Sequence, residues 1–243
     1  MSETSEKPSI SIILPAYNEE KRIKDTISKL RSFLKLKKLE YEIIIVDDGS
    51  TDNTLNVVKD LLSSDLRIIT ITRSGKGAAV KEGCMASVND YIFFMDSDLS
   101  TDVNEILKFI NIFKKEKDTE ILIGSRYIPD NSIAIQPPFR NVIGKTFSFV
   151  KSKLLGVNFY DSQCGFKAFR KDTAHKIFAR SVIKGYSFDV ELLYIAALNN
   201  LKVKEVGIEW RHKPGGHVNI VLDSIPMLLE LFKIYLNKNN YIL

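Results

Sequence analysis

The chain has two cysteines, Cys84 and Cys164, far apart in sequence. They fit neither a disulfide framework nor the spacing of a zinc site, and a reduced, cytosolic setting is the simplest account. The three histidines, His175, His212 and His217, do not cluster, so each reads as a surface or supporting residue. No uncharged apolar run approaches the ~18 residues that a spanning helix needs, and the start shows no signal-peptide pattern. Leu222 to Leu236 is apolar but holds Asp223, Glu230 and Lys233, so it is read as a helix on a surface or on the core. No internal repeat or low-complexity segment stands out. Neither charge sign dominates: 35 basic residues against 30 acidic ones give a net charge of +5. No nucleic-acid partner is expected, and a local basic face matters more than the total. Such a face is suggested between Asn131 and Tyr160, where acids are absent but Arg140, Lys145, Lys151 and Lys153 are present.

The chain does have enough apolar residues, 44% of 243, for one large core. The expected division is a flexible tail at 1–8, one main domain at 9–221 and a C-terminal helix and tail at 222–243.

The most informative stretch is Asp96-Ser97-Asp98. The apolar run Tyr91-Ile92-Phe93-Phe94-Met95 leads straight into it and Ser100-Thr101-Asp102 follows. A short apolar run ended by turn residues reads as a buried strand. Residues two apart in extended backbone point the same way, which places two carboxylates on one side where the strand surfaces. Hard oxygen donors of this kind suit Mg2+ or Mn2+ carrying substrate phosphates. Set beside this is a plainer reading: Asp98 starts a turn and Asp102 caps the next helix.

Along the chain, strands are expected at Ile10–Leu14, Tyr41–Val46, Leu66–Thr72, the run into Asp96, Glu120–Ile123 and Val203–Ile208. Helices are expected at about 19–37, from Asp52 inward with Leu55, Val58 and Leu62, at 78–88, 102–115, 172–178, from 188 and at 224–236. Phe139, Val142, Ile143, Phe147, Val150 and Leu154 form one further helical stripe, after a loop at 129–138 with three prolines. Strands alternating with helices imply an α/β fold with a mainly parallel, doubly wound sheet and helices on both faces. Ligands in such sheets sit beyond the carboxyl ends of the strands. The segments 15–19, 47–52, 75–77 and 96–98 all fall at those ends.

Taken together, Pro15-Ala16-Tyr17-Asn18-Glu19, Asp47-Asp48-Gly49-Ser50, Gly75-Lys76-Gly77, Asp96-Ser97-Asp98 and Gly124-Ser125-Arg126 resemble the family-2 glycosyltransferases of GT-A fold. Asp161-Ser162-Gln163-Cys164-Gly165-Phe166-Lys167 and Phe188-Asp189-Val190-Glu191-Leu192 continue the likeness. Within the family they are similar to the polyprenyl-phosphate branch, and closer to its dolichyl-phosphate glucosyltransferases than to its mannosyltransferases. Where that family often carries Gly-Ser-Lys, this chain has Gly215-Gly216-His217.

The resemblance implies a nucleotide-sugar donor held by Pro15, Ala16, Tyr17, Glu19, Asp47, Asp48, Gly75, Lys76, Asp96 and Ser97. It implies Mg2+ or Mn2+ at Asp96 and Asp98, catalytic roles for Asp98, Arg126 and Asp189, and an acceptor phosphate near Arg126, Arg140, Lys167 and Arg211. Turn-building by Asp47 and Asp48, a helix start at Glu19 and an ordinary Gly-Lys-Gly turn are the plainer readings of the same residues. An acceptor phosphate has a second pKa near ~6 and needs no general base at neutral pH, whereas a hydroxyl acceptor does. Asp189 and Glu191 are base candidates in that second case; otherwise they orient Arg126, Lys167 or the metal loop.

The expected reaction is transfer of a hexose, with inversion, from UDP-glucose to dolichyl or polyprenyl phosphate. GDP-mannose as donor, a hydroxyl acceptor and an inactive nucleotide-sugar-binding subunit are the alternatives. A processive synthase is disfavoured by the lack of a Gln-x-x-Arg-Trp segment. The lipid acceptor implies a peripheral place on the cytoplasmic face of a membrane, reached directly or through a membrane-anchored partner. The 139–154 stripe reads either as an interfacial helix on anionic lipid or as a core-packing helix with a solvated basic face.

Overall fold

The computed structural model describes the backbone of residues 8–128, 138–213 and 220–243, and the side chains of 8–128, 147–213 and 225–243. In chain order the elements are β1 (Ser9–Ala16), α1 (Ile23–Leu36), β2 (Glu40–Asp47), α2 (Thr54–Lys59), β3 (Leu66–Thr70), α3 (Lys76–Ala86), β4 (Tyr91–Met95) and α4 (Glu105–Lys115). They continue with β5 (Ile121–Ser125), α5 (Pro138–Leu155), β6 (Phe166–Arg170), α6 (Lys171–Arg180), α7 (Phe188–Leu198), β7 (Val203–Gly207), α8 (Ile220–Leu236) and a 3-10 turn (Lys238–Tyr241). Seven strands form one sheet in the order β3-β2-β1-β4-β6-β5-β7. The β1–β2, β1–β4, β2–β3 and β5–β7 pairs are parallel, and β6 runs antiparallel to both β4 and β5.

The strands read as nearly unbroken apolar runs because both faces of the sheet are covered. Ile13, Ile44, Phe94 and Ile123 point toward α3 and α5–α8. Ile12, Ile43, Phe93 and Leu122 point the other way, toward α1, α2 and α4. The alternation follows from the two-residue period of a strand. The C-terminal segment belongs to the first of these cores: Leu231 and Ile234 of α8 and Tyr241 of the 3-10 turn are fully buried. Among the described residues no helix is long and apolar enough to cross a membrane.

The fold class is as expected, with one strand added. β6 has no pure apolar run to announce it, since Lys167 and Arg170 interrupt it. Both charges are met inside the fold: the Lys167 ammonium donates to Asp189 at 2.5 Å, and the Arg170 guanidinium donates to the Thr119 and Phe113 carbonyls at 2.8 and 3.0 Å. Three helices start later than the apolar pattern suggests. Residues 17–22 form a turn in which the Glu19 carbonyl accepts the N–H groups of Arg22 and Ile23, so α1 opens at Ile23. Asp52 and Asp102 build turns: Asp52 accepts the Thr54 N–H and Asp102 the Asn104 N–H. α2 ends at Lys59, which leaves Leu62 exposed instead of turned inward.

α5 requires a second correction. Phe147 and Leu155 pack into the core, and Lys151, expected as an outward cation, is buried. Its ammonium donates to the Ser162 hydroxyl at 3.0 Å and the Phe159 carbonyl at 3.2 Å, and burial holds its pKa below the ordinary lysine value. The backbone closes back toward residues 159–162, so this cation serves the interior. Phe139, Arg140, Val142, Ile143 and Lys145 have side chains outside the described residues, as do the 129–137 part of the proline loop and Gly215-Gly216-His217.

The tight seat of α3 on the sheet gives a test of this packing. A Cβ added at Gly83 meets Ile13 Cγ2 at 2.5 Å and Val46 Cγ2 at 3.0 Å. Gly83→Ala gains up to ~1 kcal/mol in helix propensity but overpacks the core by ~1–3 kcal/mol. The expected result is a lower melting temperature; an unchanged or higher one places α3 less tightly on β1 and β2.

Candidate active site at the strand ends

The carboxyl ends of β1, β2 and β4 open on one cleft, beside the point where the order β3-β2-β1 turns back to β4. Pro15, Ala16, Tyr17, Glu19, Asp48, Lys76, Asp96, Ser97 and Asp98 line it. Of the ten residues expected to hold a donor, only Asp47 and Gly75 lie behind the lining. Gly75 N–H donates to Asp48 at 3.0 Å. The Asp47 carboxylate accepts the Ser50 N–H at 3.2 Å through Oδ2, while its buried Oδ1 has no hydrogen-bond partner among the described residues.

Asp48 organises the loop ahead of α3. Its carboxylate pairs with the Arg73 guanidinium and accepts the Ser74 N–H at 2.7 Å. Arg73 in turn lies over the Tyr17 ring, 3.7 Å from its centroid, a planar cation on an aromatic face. Glu19 holds Arg22 through both carboxylate oxygens. Arg22, Arg73 and Tyr186 also line the cleft, and the sequence reading missed all three. Arg22 follows Glu19 by three residues and Arg73 follows β3, so the strand-end rule had the means to find those two. Tyr186 arrives from the loop before α7, and no local pattern points to it.

Asp96 and Asp98 both line the cleft, but from a turn after β4 in place of the extended backbone that their spacing suggests, since the strand ends at Met95 and the Leu99 N–H turns back toward the Asp96 carbonyl. Asp96 Oδ1 accepts from the Lys76 ammonium at 2.6 Å. Asp98 Oδ1 accepts the Ser100 N–H at 2.8 Å and its hydroxyl at 2.5 Å, so Oδ1 carries the turn-starting role. The set fits a hard divalent cation: two carboxylates on one short loop, each retaining an oxygen outside these bonds, suit an ion that takes few protein ligands and completes its shell with water or phosphate. Among the described residues no third His, Cys, Asp or Glu joins them.

Behind the cleft the charges alternate. Burial opposes the Lys76 ammonium, but Asp96 and Asp189 outweigh it and its pKa lies above the ordinary lysine value. Asp189, in the first turn of α7, is itself buried. Burial pushes its pKa up against the pull of Lys167 and Lys76. Its partner Lys167 is fully enclosed, donates also to the Cys164 carbonyl at 2.7 Å and sits 5.3 Å from the Phe94 ring centroid. Asp189 is therefore engaged by Lys167. Glu191 turns elsewhere, accepting the Val182 and Ile183 N–H groups and the Tyr241 hydroxyl.

The acceptor-side candidates are more dispersed. Arg126 forms a fork with Asp161, at 2.7 Å from Nε and 2.8 Å from Nη2. Burial works against its charge and Asp161 offsets that, so its pKa lies above the ordinary arginine value. Arg211 is largely exposed and pairs with Glu209 at 2.6 Å, while its N–H donates to the Ser100 carbonyl at 2.8 Å. That bond ties the segment after β7 to the Asp98 turn. The side chain of Arg140 lies outside the described residues.

Comparison with known proteins identifies the family and the fold. A family model described as glycosyl transferase family 2 matches residues 11–178. The chain is 34% identical over 239 residues to a dolichyl-phosphate beta-glucosyltransferase of Dictyostelium discoideum, covering 93% of this chain and 73% of that protein. It is 33% identical over 221 residues to the Homo sapiens protein of that name, covering 85% and 68%. Among solved structures, a Mycobacterium tuberculosis glucosyl-3-phosphoglycerate synthase in complex with Mn2+, UDP-glucose and glycerol 3-phosphate superposes with a TM-score of 0.68. It is 20% identical, over 95% of this chain and 80% of that one. A mannosyl-3-phosphoglycerate synthase from Rubrobacter xylanophilus gives 0.68 at 14% identity, over 93% and 72%. At such identities the likeness is one of fold.

The Asp96 carboxylate rests directly on Gly165, where an added Cβ lies 2.0 Å from Oδ2. Gly165→Ala is expected to push that carboxylate aside with little change in melting temperature, since the group displaced is the end of a side chain. Mn2+ affinity, read by electron paramagnetic resonance in the presence of a nucleoside diphosphate, is expected to fall roughly 10- to 100-fold, as for other changes that disturb the support of a ligand. Wild-type affinity in the variant separates Asp96 from any metal.

Proposed function

The chain belongs to glycosyl transferase family 2, and from that premise we propose that it transfers glucose from UDP-glucose to dolichyl or a related polyprenyl phosphate, with inversion at the anomeric carbon. The observation that carries the reading is the meeting of Asp96 and Asp98 with Lys76 and Arg22 in one cleft at the sheet's switch point. A diphosphate leaving group needs that combination of cations and metal-binding carboxylates. The curated relatives, named as dolichyl-phosphate beta-glucosyltransferases, support glucose and the lipid phosphate. The UDP part rests on the motif resemblance.

In this reading Tyr17, Glu19 and the Asp47–Asp48 turn hold the nucleotide, with Arg73 beside Tyr17 as part of the same wall. Lys76 balances negative charge as the bond between sugar and diphosphate breaks. Asp96 and Asp98 would hold Mg2+ or Mn2+, which supplies Lewis-acid charge for the departing diphosphate. An acceptor phosphate oxygen attacks the anomeric carbon from the face opposite that bond, and the bonding electron pair leaves with the diphosphate. No proton has to be removed from a phosphate already largely dianionic at neutral pH, so Asp189 acts as a positioning residue for Lys167 and Lys76. Arg126, fixed by Asp161, is the proposed contact for the acceptor phosphate.

Asp98→Asn tests the first half. Asparagine keeps a carbonyl oxygen for Ser100 while removing the ligand charge, so the turn survives and transfer is expected to drop at least a hundredfold, about 3 kcal/mol. Near-normal turnover, or full activity in excess EDTA, rejects the metal role. The acceptor half is tested by pH: the rate is expected to fall as pH drops through ~6, where the lipid phosphate gains its second proton. Equal rates with a neutral polyprenol and with its phosphate reject it. A panel of UDP- and GDP-sugars decides the donor.

A further inference from the structure

α8 is apolar on two opposite faces. Its inner face, with Leu231 and Ile234, is buried in the core. Its outer face carries Ile225, Leu229, Phe232 and Leu236, exposed by 68, 65, 53 and 81%. The spacing i, i+4, i+7, i+11 aligns these four in a single stripe along the helix. A stripe of four large apolar side chains is far from the scattered single residues that a solvent-facing helix ordinarily shows.

What flanks the stripe identifies what meets it. At 100° per residue Lys233 and Tyr235 lie to either side of it, and both are exposed. A lysine with an apolar stem and a tyrosine with a polar tip are the residues that settle at the boundary between lipid and water. Glu230, the one acid of α8 whose side chain is described, points inward and accepts the Ser187 N–H at 3.1 Å. The outer face thus offers apolar groups, the Lys233 ammonium and no described carboxylate, which complements an anionic lipid surface. α5 packs beside α8 and exposes Phe149 and Lys153, a further apolar and a further positive side chain.

The position of α8 relative to the cleft is also fixed. Besides the Glu230 contact, the Ser187 hydroxyl donates to the Met227 carbonyl at 3.2 Å. Ser187 follows Tyr186, which lines the cleft, and precedes α7, which carries Asp189. A surface bound to α8 is therefore held close to the cleft where a lipid-borne phosphate has to arrive.

We propose that the outer face of α8 docks on an anionic phospholipid bilayer, lying in its interface and holding the cleft at the membrane surface; this rests on the lipid-linked acceptor proposed above. The sequence had pointed instead to the basic segment 131–160, one of whose four cations, Lys151, is buried.

The test places a single polarity-sensitive fluorophore on Leu229→Cys, since Cys84 and Cys164 are buried and remain unlabelled. Vesicles of phosphatidylcholine with roughly one-third phosphatidylglycerol are expected to shift its emission to the blue, and neutral vesicles to do so less. Leu229→Asp with Phe232→Asp is expected to lower co-sedimentation with the anionic vesicles by at least about tenfold. It should leave transfer to a water-soluble short-chain polyprenyl phosphate unchanged. No blue shift, or co-sedimentation untouched by the double change, overturns the proposal. So does a dimer in solution that the double change dissociates, because the face is then filled by a second copy. Vesicle binding without transfer by the wild type defeats the functional reading alone, and transfer without vesicle binding defeats the docking alone.

Discussion

Charge that is drawn into the interior has to be neutralised where it stands, and the centre of this protein is built on that constraint. Asp96, Lys76, Asp189 and Lys167 alternate in sign from the mouth of the cleft to the core. They come from the end of β4, the start of α3, the first turn of α7 and the middle of β6. Removing one member of the buried Lys167–Asp189 pair leaves the other uncompensated, at a typical cost of about 3–5 kcal/mol. β6 and α7 are thereby held together, and Asp96 at the mouth of the cleft is tied to the start of α3 through Lys76.

The same logic repeats at three arginines, Arg22 and Arg73 in the cleft lining and Arg126 after β5. Asp48 fixes Arg73, Glu19 fixes Arg22 and Asp161 fixes Arg126. Each arginine is oriented by a carboxylate before any phosphate is present. Catalysis by electrostatics depends on such prior orientation, because groups already in place need not reorganise as charge develops. The arrangement also keeps like charges from facing one another unscreened.

The sheet supplies the place where this happens. Parallel strands all end on one edge, so the loops after β1, β2 and β4 converge without any special sequence device. The antiparallel β6 then brings Gly165 against the loop after β4, where the Asp96 N–H donates to the Gly165 carbonyl at 3.1 Å. The absence of a side chain at that point leaves room for the Asp96 carboxylate. Next to Tyr186 of the cleft lining, Ser187 couples α7 to α8, the helix whose outer face is apolar.

Most of the fold was legible in the sequence. Unbroken apolar runs ended by Asp, Gly and Pro mark buried parallel strands, and the strand-end rule located Asp96, Asp98, Lys76, Asp48, Glu19 and Tyr17 at one edge. These features are local, since each depends on a run of a few residues and on how it ends. What lay beyond reach depended on residues distant in the chain. β6 was hidden because the charges of Lys167 and Arg170 are acceptable only beside Asp189 and the carbonyls of Thr119 and Phe113. Lys151 read as an outward cation because nothing near it in sequence shows that Ser162 and Phe159 will close over it. The outer face of α8 was equally ambiguous, since an apolar helix gives no sign of which side the core will take. Local order of residues determined the elements and the edge on which the chemistry gathers. Tertiary structure alone decided which charges are paired, which are buried and which apolar face is left to meet a partner, because those outcomes depend on distances between segments that the sequence does not contain.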